Sequence, residues 1–107
     1  MALFHPDRDR LQMADVLHAL SDPQRLTIVC CLAEDPTPRR CGSFDLEITK
    51  STLTHHFRVL REAGVIDQRE EGTARLNSLR RKDLDERFPG LLDAVLAGAP
   101  DPVTAAA

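Results

Sequence analysis

The sequence predicts a mainly α fold with one small β-hairpin, and three observations carry that prediction. Apolar residues recur at helical spacing in four segments, with Ser, Thr, Asp, Pro or Gly near most of the ends where helices start and stop. Two short alternating segments flank Glu70-Glu71-Gly72-Thr73, the pattern of a hairpin around a glycine turn. The 107 residues, 42% apolar and 29% charged, suit one globular domain and argue against disorder throughout.

Taken in order, the first helix is predicted over Asp9–Leu20, where Leu11, Ala14, Leu17 and either His18 or Leu20 make one apolar stripe. Ser21-Asp22-Pro23 ends it and starts the next. Asp22 is an N-cap, and Pro23 suits the first helical position because its missing N–H needs no partner there. The second helix, Pro23–Ala33, holds the run Thr27-Ile28-Val29-Cys30-Cys31-Leu32-Ala33, and apolar residues on nearly all sides predict a core helix. Glu34–Gly42, with Pro36 and Pro38, reads as a loop. A helical turn near Ser43–Leu46 follows, with Phe44 and Leu46 facing inward.

Thr49 caps a third long helix, Lys50–Ala63, closed by Gly64 in the left-handed conformation. Val65–Arg69 and Ala74–Leu79 form the hairpin. Lys82–Ala97 carries a last stripe of Leu84, Phe88, Leu91 or Leu92, and Val95. It runs through Pro89-Gly90, which predicts a kink or a restart. Residues 1–8 are expected to be a flexible N-terminus, 9–97 the domain, and 98–107 a disordered tail.

Composition excludes several classes of function. With four Phe and no Trp or Tyr, the chain has no row of rings on which single-stranded nucleic acid would stack. No apolar run approaches the roughly 20 residues of a membrane span, and the N-terminus lacks the basic start and apolar core of a signal peptide. Three cysteines are too few for a disulfide framework and fit a reducing compartment, so a cytoplasmic protein is expected. No nucleophile–base pair, phosphate loop or metal cluster suggests an enzyme.

Charge is distributed unevenly. The formal net charge is −3, yet between Thr49 and Lys82 eight bases meet only four acids. A basic segment on an acidic body makes a directional field, and a phosphate backbone responds to local potential. At about 100° per residue, Leu53, Phe57 and Leu60 of the third helix face inward, while Ser51, Thr54, His55 and Arg58 cluster outward.

Helices, then a helix with a short, polar, positive face, then a hairpin, is the order of a winged helix-turn-helix. A DNA major groove admits one helix, and the inserted face needs small hydrogen-bonding groups and Arg or Lys rather than bulk. Lys50, Ser51, Thr52, Thr54, His55 and Arg58 are the candidate contacts on the helix, and Arg69, Thr73 and Arg75 those on the wing. Glu70 and Glu71 at the tip work against a phosphate partner. A winged-helix module whose basic face docks an acidic protein is the alternative; small residues suit base edges better.

Leu20-Ser-Asp-Pro-Gln-Arg-Leu26 and Lys50-Ser-Thr-Leu-Thr-His-His-Phe-Arg-Val-Leu-Arg-Glu-Ala-Gly-Val-Ile66 resemble the ArsR/SmtB family of winged-helix repressors, and the likeness extends over about Leu11–Leu96. The resemblance implies a homodimeric repressor of a palindromic operator on double-stranded DNA. It places the dimer interface on the first and last helices, hence at Leu11, Ala14, Leu17, Phe88, Leu91, Leu92 and Val95.

Family members that bind metal commonly use Cys-x-Cys before the reading helix, or His and acidic ligands on the last helix. Here Cys41-Gly-Ser-Phe-Asp-Leu46 supplies one Cys, and Lys82–Ala97 has acids but no His. No cofactor is therefore evident; zinc or trivalent arsenic stays open as an effector but is not supported by those ligand patterns. Cys30 and Cys31 read as small residues of a buried helix, with Cys30, Cys31 and Cys41 as a candidate thiol sensor in the sharper reading. Adjacent His55 and His56 diverge on a helix and chelate poorly; His55 is expected to face the groove and His56 to pack beside Val59 and Ala63. His18 is expected at an interface or partly buried, and His5 in the mobile terminus.

Overall fold

The two longest helices begin where the sequence places their caps. In the computed structural model, which describes residues 3–40, 44 and 46–99, α1 spans Met13–Leu20 and α2 spans Pro23–Glu34. Asp22 accepts the N–H groups of Gln24 at 2.8 Å and Arg25 at 3.1 Å at the start of α2. Thr49 accepts the Thr52 N–H at 3.2 Å at the start of α3 (Lys50–Glu62). Such caps contribute about 1 kcal/mol each. α2 buries Ile28, Val29, Cys30 and Leu32, as its apolar run requires.

Gly64 ends α3 with φ +86°. A Cβ there would lie 2.0 Å from Leu11 Cδ2, so both the backbone angle and the space demand glycine. The chain passes directly into β2 (Ile66–Glu71), which pairs antiparallel with β3 (Ala74–Leu79). Glu71 faces Ala74 in the register, so Gly72 and Thr73 alone make the turn, with Gly72 at φ +63°. Glu70 and Glu71 are therefore strand residues rather than part of the tip, and Glu70 stands opposite Arg75.

Glu34–Gly42, expected as loop throughout, contains a third strand. β1 (Arg39–Arg40) pairs antiparallel with β3, giving the sheet order β1-β3-β2. The side-chain amide of Asn77, itself fully buried, donates to the Arg39 carbonyl at 2.9 Å, and the Arg39 guanidinium lies 4.3 Å from the centre of the Phe44 ring. Two residues carry no alternating pattern; tertiary contacts make this strand. Phe44 is buried and Leu46 half-buried, as inward-facing residues should be, while Ser43 and Asp45 of the expected helical turn lie outside the described residues.

The first helix starts four residues later than predicted. Arg8–Arg10 form a single 3-10 turn, and Leu11 and Gln12 are extended. Leu11 leaves the helix stripe to fill the space over Gly64 and is 1% exposed. α1 consequently buries Val16, Ala19 and Leu20 and turns Met13, Ala14 and Leu17 outward. At the other end, the helical stripe does restart at Pro89-Gly90: α4 (Arg81–Arg87) gives way to α5 (Leu91–Gly98) through Gly90 at φ +83°. Arg81 spans the break, ion-paired to Asp85 and Asp93.

Leu11, Phe88 and Leu92, read from the resemblance as dimer contacts, are covered by their own chain. They join Val16, Ile28, Val29, Phe57 and Leu60 in one core. Ala14 and Leu17 are exposed, and Leu91 and Val95 half-buried. Of the segment 1–8, expected to be flexible, Phe4, His5 and Pro6 are tied to the rest of the fold. Arg61 donates to the Phe4 carbonyl at 3.2 Å, Arg80 to the Pro6 carbonyl at 2.7 Å, and the Gln68 backbone N–H to His5 Nε2 at 2.9 Å. Of the expected tail, Gly98 closes α5, and residues 100–107 lie outside the described residues.

Gly64→Ala should lose about 2–4 kcal/mol, the sum of a left-handed side chain and an overpacked contact with Leu11. Urea unfolding checks it. A loss under about 0.5 kcal/mol would mean that Leu11 moves aside freely.

Candidate nucleic-acid interface

α3 presents Lys50, Ser51, Thr52, Thr54, His55 and Arg58 to solvent, every one of them exposed. The helix is fixed at both ends, by Thr49 and by Gly64, so these side chains project from a rigid rod. Thr52 is partly committed to the cap, since its hydroxyl accepts from Thr49 Oγ1 at 2.8 Å. Thr54 donates to the Lys50 carbonyl at 2.9 Å, which leaves its oxygen lone pairs and methyl group directed outward. Glu62 follows Arg58 by one turn, and among the described residues no ion pair joins them.

Between the first half of α3 and the hairpin lies a crevice of about 600 Å³. Lys50, Thr54, Thr73 and Arg75 line it, so four of the predicted contacts, from helix and wing, meet in one place. Arg40 and Gln68 line it as well; neither stood out in the sequence. Arg69 is not brought there. Side chains alternate along a strand, and the partner of inward, buried Gln68 in that alternation is an exposed Arg69 paired with Leu76. Ser51, His55 and Arg58 stand apart from the crevice on the exposed surface of α3.

The bases of the sequence segment divide into two groups. Arg61 is 8% exposed and donates to Gln68 Oε1 at 2.6 Å as well as to Phe4. Arg80 is held by Asp83 and Pro6, and Arg81 by Asp85 and Asp93. These three tie the fold together. Lys50, Arg58, Arg69, Arg75 and Lys82 point their charge outward, Arg75 with Glu70 at 3.9 Å.

His56 does not pack on the flank beside Val59 and Ala63 as expected; it is 7% exposed and belongs to a buried polar node. Arg25, 8% exposed, donates from NH1 to His56 Nδ1 at 3.1 Å, from Nε to the Ala19 carbonyl at 2.7 Å and from NH2 to the His18 carbonyl at 3.4 Å. One guanidinium thus satisfies carbonyls at the end of α1 while joining α2 to α3. Burial, reinforced by the Arg25 charge, pushes the His56 pKa down against the opposing pull of Asp22. Partial burial pushes the Asp22 carboxyl up, but the N–H groups of Arg25 and Gln24 outweigh it and hold the carboxyl below its ordinary range. The sequence did carry a signal here: Arg25 stands on the stripe of Ile28, Val29 and Leu32, where an apolar residue belongs.

The other singled-out residues separate. His55 is exposed beside its buried neighbour, with ring centres 6.0 Å apart. His18 is exposed, and His5 is held in the pinned arm. Cys30 is buried and Cys31 half-buried, and burial pushes the Cys31 thiol up, with Arg39 opposing. A thiol kept protonated is a poor nucleophile. Cys41 lies outside the described residues. Among the described residues, no group of three or more His, Cys, Asp and Glu side chains is placed to hold a metal ion, and no helix is long and apolar enough to cross a membrane.

Residues 22–68, from the cap of α2 into β2, match the family model described as bacterial regulatory protein, arsR family. The chain is 33% identical over 84 residues to YceK, an uncharacterized HTH-type transcriptional regulator of Bacillus subtilis (strain 168), a match covering 77% of this chain and 84% of that protein. It is 38% identical over 61 residues to an uncharacterized HTH-type transcriptional regulator of Methanocaldococcus jannaschii, covering 56% of this chain and 68% of that one. With the biofilm growth-associated repressor of Agrobacterium fabrum it shares 37% identity over 60 residues, 56% of this chain and 51% of that protein.

The folded surroundings disfavour the charged form of His56, which protonates more readily once the chain unfolds. Its contribution is therefore complete above about pH 6.5, the unperturbed value, and falls away as pH drops below it. His56→Gln keeps an acceptor for Arg25 and should make the decline in Tm between about pH 6.5 and pH 5 shallower. Parallel Tm curves for the two proteins would remove His56 as its source.

Proposed function

Since the chain belongs to the arsR family of bacterial regulatory proteins, we propose that this transcriptional regulator is a repressor that binds a palindromic operator as a homodimer in the cytoplasm. The observation that carries this reading is the outward face of α3, short, polar, positive and uncovered by the rest of the fold. A helix of that kind enters the major groove, where an Arg forks onto guanine O6 and N7 and a Thr methyl meets the thymine methyl. Arg58 and Thr54 take those roles, with Ser51 and His55 beside them. Lys50, Thr73 and Arg75 hold the flanking backbone and set the register.

Two copies place two such helices one DNA turn apart, which is why the operator is palindromic. Met13 and Leu17, exposed by 43% and 47%, and Ala14 on α1 supply part of the pairing surface, with Leu91 and Val95 on α5. A chain of this size leaves apolar side chains uncovered for want of core, and a second copy covers them. Release by a metalloid, metal or oxidant would rest on Cys30, Cys31 and Cys41. The raised pKa of Cys31 gives that part of the reading little support. No specific observation favours docking of an acidic protein instead.

Arg58→Ala should weaken binding to an operator selected from a random DNA pool by about tenfold or more, with stability changed by no more than about 0.5 kcal/mol. Equal damage to binding and Tm would make Arg58 structural. Leu17→Glu should yield a monomer in sedimentation equilibrium at concentrations where the unaltered chain is a dimer. A stable dimer in that variant would move the interface off α1.

A further inference from the structure

Arg25 is the donor in every hydrogen bond its side chain makes, because a guanidinium has no lone pair to offer. The atom it meets on α3, His56 Nδ1 at 3.1 Å, must therefore be the accepting nitrogen, so the ring's proton sits on Nε2. That bond exists only while His56 is neutral. A second proton on the ring would occupy Nδ1 and turn the acceptor into a donor. It would also set two positive groups against each other where both side chains are buried.

The other two bonds of the guanidinium do not depend on that proton. Nε keeps the Ala19 carbonyl at 2.7 Å and NH2 the His18 carbonyl at 3.4 Å, so protonation cuts the tie to α3 and leaves α1 joined to α2. Buried Phe57 and Leu60 still hold α3 in the core. What goes is the directional contact that fixes the helix about its own axis. Thr54, His55 and Arg58 ride on that same helix, His55 next to the buried ring. Among the described residues, Asp22 and Arg25 face the ring from α2 and His55 from α3, while α1 brings Asp15 and His18, which line a neighbouring hollow with Val59 and Glu62. Asp22 pulls toward the charged form, but burial, with Arg25 and His55 beside the ring, outweighs it.

We propose that Arg25 and His56 form a proton-sensitive latch on α3: the neutral ring locks the helix in the setting that binds DNA, and a proton on the ring releases it, so that mild acid weakens binding. The latch rests on the reading that the chain binds DNA through α3. Linkage makes the effect reciprocal, since a proton that lowers affinity for DNA is itself held less tightly in the complex, by the same factor. The sign is distinctive. The negative field of a duplex favours the charged form of a histidine near it, whereas the latch disfavours it at His56.

The test is fluorescence anisotropy with a labelled operator selected by the unaltered protein, from about pH 7.5 to about pH 5.5, at constant ionic strength and where circular dichroism shows the fold intact. His56→Gln keeps an acceptor for Arg25 and cannot take the proton. Relative to this variant, the unaltered protein should lose affinity about fivefold or more across the range. His5, His18 and His55 are common to both proteins and cancel in the ratio. A second measurement needs no variant: the NMR titration of the His56 ring in the unaltered protein should move to lower pH when operator is added. An affinity ratio that stays constant with pH, or a His56 titration that stays or moves to higher pH with operator, would overturn the latch and leave the DNA-binding reading intact. Failure of the unaltered protein to select and bind any duplex would overturn both.

Discussion

The presentation of α3 depends on one buried guanidinium. Arg25 reaches from α2 to the last carbonyls of α1 and to the ring of His56 on α3, so three helices share one charged contact. Removing the charge from such a node leaves carbonyls and a ring nitrogen without donors in a low-dielectric interior, and that is far more damaging than the net value of the bonds. Apolar packing alone tolerates small rotations of a helix about its axis. A hydrogen-bonded node resists them, because each bond weakens steeply off its axis. Rotation by one residue would take Thr54 and Arg58 off the outward face, so the rotational setting of α3 decides which side chains that face presents.

Net charge is a poor guide to what this chain binds. The acidic surplus of the whole chain coexists with an outward helix face that carries Lys50 and Arg58 and with a crevice that no acid lines among the described residues. Several of the bases that made the middle of the sequence look basic are engaged within the chain: buried Arg61 braces Gln68 and the N-terminal arm, half-buried Arg80 holds Asp83 and the Pro6 carbonyl, and exposed Arg81 is ion-paired to Asp85 and Asp93. The bases left pointing outward are a smaller set than the sequence count suggests, and Lys50 and Arg58 among them lie on the exposed surface of α3.

Much of the fold was legible because local rules and tertiary structure agree on it. Asp22-Pro23, Thr49 and Gly64 mark helix ends through backbone chemistry that needs no neighbours, and the inward triad of α3 follows from helical spacing. Legibility failed where a distant residue decides. Leu11 reads as the start of a helical stripe until Gly64, 53 positions away, supplies the hollow it fills. β1 exists through Asn77 and Phe44, and His56 owes its burial to an arginine 31 positions earlier. At the candidate interface the exposed side chains of α3 could be read from spacing alone. The place of Arg40 could not, since it follows from a strand that only the folded sheet creates.

The N-terminal arm has a consequence beyond its own order. β2 lies at the margin of the sheet, where unsatisfied amide groups invite a foreign strand to add itself. The ring of His5 takes the amide of Gln68 that such a strand would need, and charged Asp67, Arg69, Glu70 and Glu71 along the same strand discourage the rest. The arm thus keeps this margin of the sheet from offering an open-ended way of joining copies strand to strand, one that would lead to chains of molecules.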